Sequence, residues 1–151
     1  MKKITLFFLA AFAGTLAMAQ SSKEVNWTVT SKKIADKTYQ IDMVANIGSG
    51  FHLYAQNVGG DGPIPTSFSF TTSPLITLNG AVKENGKMIS KFESAWNHNV
   101  NYYENTVTFS QIVRLKTNVK TQAAFKVSFM VCNDHECLPP SDVDLKANIG
   151  G

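Results

Sequence analysis

Tyr39–Ile47, YQIDMVANI, alternates with a period of two. Tyr39, Ile41, Met43, Ala45 and Ile47 are apolar, while Gln40, Asp42 and Asn46 fall between them. Successive side chains of a strand point to opposite faces, so this pattern marks a strand with one face in a core and one in water. Val107–Leu115, VTFSQIVRL, repeats it through Val107, Phe109, Val113 and Leu115, with Gln111 as the exception. Phe125, Val127, Phe129 and Val131 repeat it again around Lys126 and Ser128. Weaker strand signals cover Val25–Thr30, Phe51–Ala55, Ser67–Thr71, Leu75–Leu78 and Val143–Ala147. Turn residues separate the segments: Gly48-Ser49-Gly50, Gly59-Gly60-Asp61-Gly62-Pro63, Asn79-Gly80 and Asn85-Gly86. About eight short strands and no helical period predict an all-β, immunoglobulin-like sandwich. Phe68, Phe70, Phe109, Phe125 and Phe129 are its expected core aromatics.

The chain does not begin as a domain. Lys2 and Lys3 precede the apolar run Ile4–Ala13, and Ala17-Met18-Ala19 then offers small residues before a cleavage point. This order predicts a secretory signal peptide over residues 1–19 and a single domain over 20–151. The apolar run is too short for a membrane-spanning helix. Loss of Lys2 and Lys3 lowers the formal net charge from +3 to +1. The remaining lysines are scattered, which argues against nucleic acid as a partner. Export also implies an oxidising compartment, the periplasm, where cysteines can pair.

The only two cysteines lie in Val131–Pro140, VCNDHECLPP. Strand parity points Val131 inward, so Cys132 points outward or ends its strand, and the pair reads as accessible. Three chemistries fit. A structural disulfide closing so short a ring gains roughly 2 kcal/mol in the chain-entropy view, against nearly 5 for a hundred-residue loop. A metal clip would use Cys132, His135 and Cys137 with Asp134 and Glu136, but no second ligand pair exists and His52 and His98 stand apart. Thiol–disulfide exchange needs an accessible sulfur and a nearby resolving thiol, which this loop provides. A charged His135 would lower a thiol pKa, whereas Asp134 and Glu136 would raise it.

Gly50–Tyr54 (GFHLY), Pro63–Phe68 (PIPTSF), Tyr102–Gln111 (YYENTVTFSQ) and Cys132–Pro140 (CNDHECLPP) occur in an order that resembles the N-terminal periplasmic domain of the thiol:disulfide interchange protein DsbD. The likeness runs from about Trp27 to Leu145, and its last motif is the most specific. The resemblance implies an immunoglobulin-like sandwich that relays electrons through Cys132 and Cys137 as a redox-active disulfide, without an organic cofactor or a metal. It implies a membrane-embedded thiol transporter as electron donor and periplasmic thioredoxin-fold proteins as acceptors, with Cys137 the sulfur that partners engage. The family usually continues into a membrane domain and a thioredoxin-like domain. With this sequence ending at Gly151, the expected donor is a separate protein.

The family also shields its cysteines with an aromatic cap loop. Phe92–Asn99, FESAWNHN, falls in that place, making Trp96 and Phe92 the expected shield on a mobile polar loop. His135, Asp134, Glu136 and Tyr103 are the expected modulators, and Tyr54 and Tyr102 are expected beneath the pair. The rival expectation is a non-enzymatic binding module whose disulfide braces a loop and whose partner surface includes Val58–Pro65.

Overall fold

Every period-two segment forms a strand. The computed structural model describes residues 24–151, so the expected signal peptide lies outside the described residues. Eleven strands follow in chain order: β1 (Val25–Ala35), β2 (Thr38–Ile47), β3 (His52–Tyr54), β4 (Ser67–Phe70), β5 (Ile76–Gly86), β6 (Ile89–Glu93), β7 (His98–Tyr103), β8 (Thr106–Leu115), β9 (Thr121–Phe129), β10 (Val131–Cys132) and β11 (Ser141–Ile149). They build three antiparallel sheets with strand orders β1-β2-β8-β5, β10-β3-β7-β6 and β11-β9-β4. Only Met130 separates β9 from β10, so one run of chain serves two sheets. The result is the immunoglobulin-like β-sandwich that the alternation predicts.

The main core lies between the first sheet and the other two. Ile41, Met43, Phe109, Val113 and Leu115 meet Phe125, Val127, Phe129 and Val131 there, all of them buried. Trp27 of β1 packs on Phe68, Phe109 and Phe129 with ring centroids 6.2, 5.8 and 5.6 Å away. Phe68 and Phe70 are partly buried against this cluster, nearer its edge. Gln111, the exception in its strand, is buried and satisfied. Its Nε2 donates to the carbonyls of Gly80 (3.1 Å) and Ile112 (2.8 Å), so the amide does not stay unpaired in the core.

Two sequence expectations change. Asn79-Gly80 does not end a strand: β5 runs through it, with a register shift against β8 between Asn79 and Lys83 and Gly80 at φ 74°. The same Asn-Gly pair that favours a hairpin turn here accommodates a bulge, because both need a residue free to adopt positive φ. Second, Phe92–Asn99 is not a polar loop. It is the closed end of the β6–β7 hairpin, with Phe92 and Glu93 paired to Asn99 and His98. Only Ser94–Asn97 turns, held by the amides of Trp96 and Asn97, which both donate to the Glu93 carbonyl (3.1 and 2.9 Å). Asn97 takes a φ of 56°, which asparagine tolerates better than most residues.

Candidate functional site

The second sheet has two apolar faces, and the cysteines lie on the outer one. Pairing sets Leu53 opposite Val131 and Tyr103, Cys132 opposite His52, and Tyr54 opposite Tyr102. Strand alternation therefore sends Leu53, Tyr103 and Val131 into the main core. It places His52, Tyr54, Tyr102 and Cys132 together on the other side. There Tyr54, Val58, Val100, Tyr102 and Cys132 form a second buried cluster, with Ile89 and Met130 packed against it.

Cys132 and Cys137 are joined by a disulfide, with Cα atoms 4.0 Å apart. The bond closes a tight hairpin in which the two cysteines also form a β-bridge. Asn133 locks the turn: its Oδ1 accepts from the amides of His135 and Glu136, each at 2.8 Å, and its own amide donates to the Glu136 carbonyl. This side chain takes the role of a turn carbonyl, which explains why a loop of mostly ionisable residues holds one shape. The two sulfurs have unequal surroundings. Cys132 is 2% exposed, whereas Cys137 is exposed. Parity rightly turns Cys132 away from the main core, but the face it reaches is covered. Only Cys137 meets the expectation of accessibility.

Cys132 also has a polar partner. The Tyr54 hydroxyl donates to its Sγ at 3.1 Å, and His52 Nε2 lies 3.2 Å from the same hydroxyl. Burial, with smaller contributions from Glu93 and Tyr102, pushes the Tyr54 pKa up to about 12. The phenol therefore keeps its proton and acts as a donor. The His52 ring lies 4.5 Å from that of Tyr102, and burial holds its pKa below the ordinary value against the pull of Glu104, Glu93 and Asp134.

Residues 19–148 match the family described as the N-terminal domain of the thiol:disulfide interchange protein DsbD. The chain belongs to this family. Similar solved structures include the reduced Neisseria meningitidis DsbD N-terminal domain, at 14% identity and TM-score 0.52, covering 86% of this chain and 89% of that one. Another is the N-terminal periplasmic domain of ScsB from Proteus mirabilis, at 13% identity and TM-score 0.55, covering 81% of this chain and 44% of that one. Among curated protein sequences nothing matches. Membership in the DsbD N-terminal family makes the chain a thiol–disulfide exchange domain with a disulfide-forming cysteine pair.

Within this DsbD N-terminal domain the other expected site residues spread out. Asp134, His135 and Glu136 occupy the exposed turn between the cysteines. Tyr103 points to the opposite face, where its hydroxyl donates to Glu84 at 2.9 Å. Tyr102, its neighbour, takes the position on the cysteine side. Phe92 pairs with Asn99 on the face opposite to Cys132 and is exposed. Trp96, half-exposed at the hairpin tip, rests on Gly62: a Cβ there would lie 3.8 Å from its indole. In the disulfide form, then, Tyr54, Val58, Val100 and Tyr102 cover Cys132. His52 escaped the sequence reading because a lone histidine carries no spacing signal. Its place beside Tyr54 in GFHLY, on alternate positions of one strand, was the available clue.

His98 ties the hairpin tip to the glycine loop. Its Nδ1 lies 2.8 Å from the Asn99 carbonyl and its Nε2 2.5 Å from that of Asp61. The approach needs small residues: a Cβ on Gly60 would come within 3.0 Å of the ring, and one on Gly59, at φ 98°, within 2.6 Å of the Asn99 carbonyl. A neutral imidazole can donate from one nitrogen only, so satisfying both carbonyls takes the imidazolium. These bonds, first to Asp61 and then to Asn99, raise the His98 pKa. A raised pKa means the contact contributes its full stability below the unfolded value near 6.5. That contribution is lost as pH rises through the folded value. The His98 Cε1 resonance should titrate above 6.5, with exchange of the Gly60 and Asp61 amides quickening beyond that midpoint; titration at or below 6.5 would contradict the clamp.

Proposed function

We propose that this domain is a periplasmic electron relay, taking reducing equivalents from a membrane-embedded thiol transporter and passing them to thioredoxin-fold clients through Cys132 and Cys137. The observation that carries the reading is the asymmetry of the pair. Cys137 is an exposed residue that a partner can approach, and the buried Cys132, hydrogen-bonded by Tyr54 at its sulfur, resolves the mixed disulfide. Exchange requires one sulfur of each kind, since attack occurs along the S–S axis at an accessible atom and release needs a second thiol held close. The pair serves as the redox group itself, with no organic cofactor. Periplasmic placement is supported by the resemblance to the periplasmic ScsB domain and by the signal-like residues 1–19.

In this reading Asp134, His135 and Glu136 set the charge a client meets around Cys137, and the β6–β7 hairpin tip shields the pair through Trp96. Phe92, facing away from Cys132, is the weaker member of that shield. The test is electron transfer from the reduced domain to oxidised thioredoxin-fold proteins, followed by alkylation and mass measurement. The relay reading expects reduction of the client that needs both cysteines. A binding module braced by a loop disulfide would instead bind equally well with its cysteines reduced, oxidised or replaced, and would reduce nothing.

A further inference from the structure

The exchange reading leaves one group beside the sulfurs without a task. His52 faces Cys132 across the β3–β10 pair, two residues from Tyr54 on the same face, and its Nε2 meets the hydroxyl that donates to the Cys132 sulfur. Resting on that exchange reading, we propose that His52 is a positioning residue for the reaction: it holds the Tyr54 hydroxyl on Cys132 and, through it, exchanges the proton that Cys132 gains and loses.

The need for such a group follows from burial. A thiolate at Cys132 has almost no water to stabilise it or to exchange its proton. Tyr54 can hydrogen-bond the sulfur, but a phenol that keeps its own proton cannot hold the thiol's as well. His52 is the next group along, and it opens on a cleft of about 160 Å³ lined by Lys91, Tyr102, Glu104 and Asp134. The groups facing it are Glu104 after β7, Glu93 and Lys91 of β6, Asp134 of the cysteine turn, and Tyr54 and Tyr102. Burial outweighs the three carboxylates and favours the neutral ring, which can accept at Nε2 in the reduced domain when its proton sits on Nδ1.

The steps balance as follows. In the reduced domain, the Cys137 thiolate attacks a client disulfide, forms the mixed disulfide, and expels the client's second sulfur as a thiolate. Cys132 then passes its thiol proton to the Tyr54 oxygen as Tyr54 passes its own to His52 Nε2. The Cys132 thiolate attacks Cys137 Sγ, the Cys132–Cys137 bond forms, and the Cys137–client bond breaks. The client leaves as a thiolate, two electrons richer. His52 returns one proton to water through the cleft from Nδ1. It is left with Nε2–H donating to Tyr54 and Tyr54 donating to Cys132, the second of these bonds being the one in the disulfide form. Reduction of the domain runs the same relay backwards.

The test uses the reduced domain and 5,5′-dithiobis(2-nitrobenzoic acid), whose two thionitrobenzoate groups leave in separate phases. The first reports attack by Cys137, the second ring closure by Cys132. From pH 5 to 8 the wild-type second phase should carry an inflection below the ordinary histidine range. H52F should remove that inflection and slow the phase roughly tenfold, as expected for loss of a hydrogen bond supporting a charged sulfur. H52Q can still hold Tyr54 but does not titrate, so it should lose the inflection with a smaller fall in rate. Y54F combined with H52F should be no slower than Y54F alone. Circular dichroism confirms folding, and H52Q serves where H52F does not fold. Wild-type pH profiles in both His52 variants would overturn the proposal, as would additive losses in the double variant. If the wild-type domain releases neither group, the exchange reading itself fails.

Discussion

Replacing Cys132 by serine should convert the domain into a trap. Reduced C132S keeps the thiol of Cys137, an exposed residue, and lacks the group that resolves a mixed disulfide. Mixed with a thioredoxin-fold protein whose single cysteine is activated by a small thiol, it should accumulate a covalent heterodimer visible on a non-reducing gel. C137S should form little of it, because its remaining sulfur lies under Tyr54, Val58, Val100 and Tyr102. Both variants should fall to background in turnover. Both should stay folded, since opening so short a ring removes only about 2 kcal/mol from a domain whose main core lies elsewhere. Equal trapping by the two variants would mean that burial of Cys132 does not direct the chemistry. Unfolding of either would return the disulfide to the role of a staple.

Phe109→Ala should be the most destabilising single change. The ring is fully buried in β8, 5.0 Å from Phe68, 5.8 Å from Trp27 and 6.4 Å from Tyr103 by centroid distance. Its neighbours come from different strands and cannot all collapse into the space left. Truncating a phenylalanine in such a place costs about 3–5 kcal/mol. Typical domains hold only about 5–15 kcal/mol in total, so the melting temperature should fall by roughly 10–25 °C. Below that temperature, reduction of Cys132–Cys137 by dithiothreitol should change little, because Asn133 holds the turn locally. A loss under about 1 kcal/mol would show that the aromatic cluster is not the centre of the sandwich.

The sequence announced the fold wherever one face of a strand meets a core and the other meets water. In β2, β8 and β9 the apolar positions alternate, and the observed burial follows them residue by residue. It concealed β6 and β7 for a physical reason. β7 is buried on both faces around Tyr102 and Tyr103, which breaks the alternation, and β6 leaves Phe92 exposed while sheltering Ile89. The site was legible in part. Cys132 and Cys137 stand out as the only pair, and the family motifs give them a task. The inequality of the two sulfurs was not legible, because parity says which way Cys132 turns but not that Val58 and Val100 cover it. Nor could spacing reveal His52, whose partner Tyr54 matters only through its distance to a sulfur 78 positions away.

The central claim is that the Cys132–Cys137 bond is made to open and close. Its reduction potential tests this most directly, by equilibrating the protein in glutathione or dithiothreitol buffers and counting alkylated thiols by mass. The account predicts a value in the range of working exchangers, roughly −120 to −270 mV. A value below about −300 mV, where structural bonds of secreted proteins lie, would contradict it.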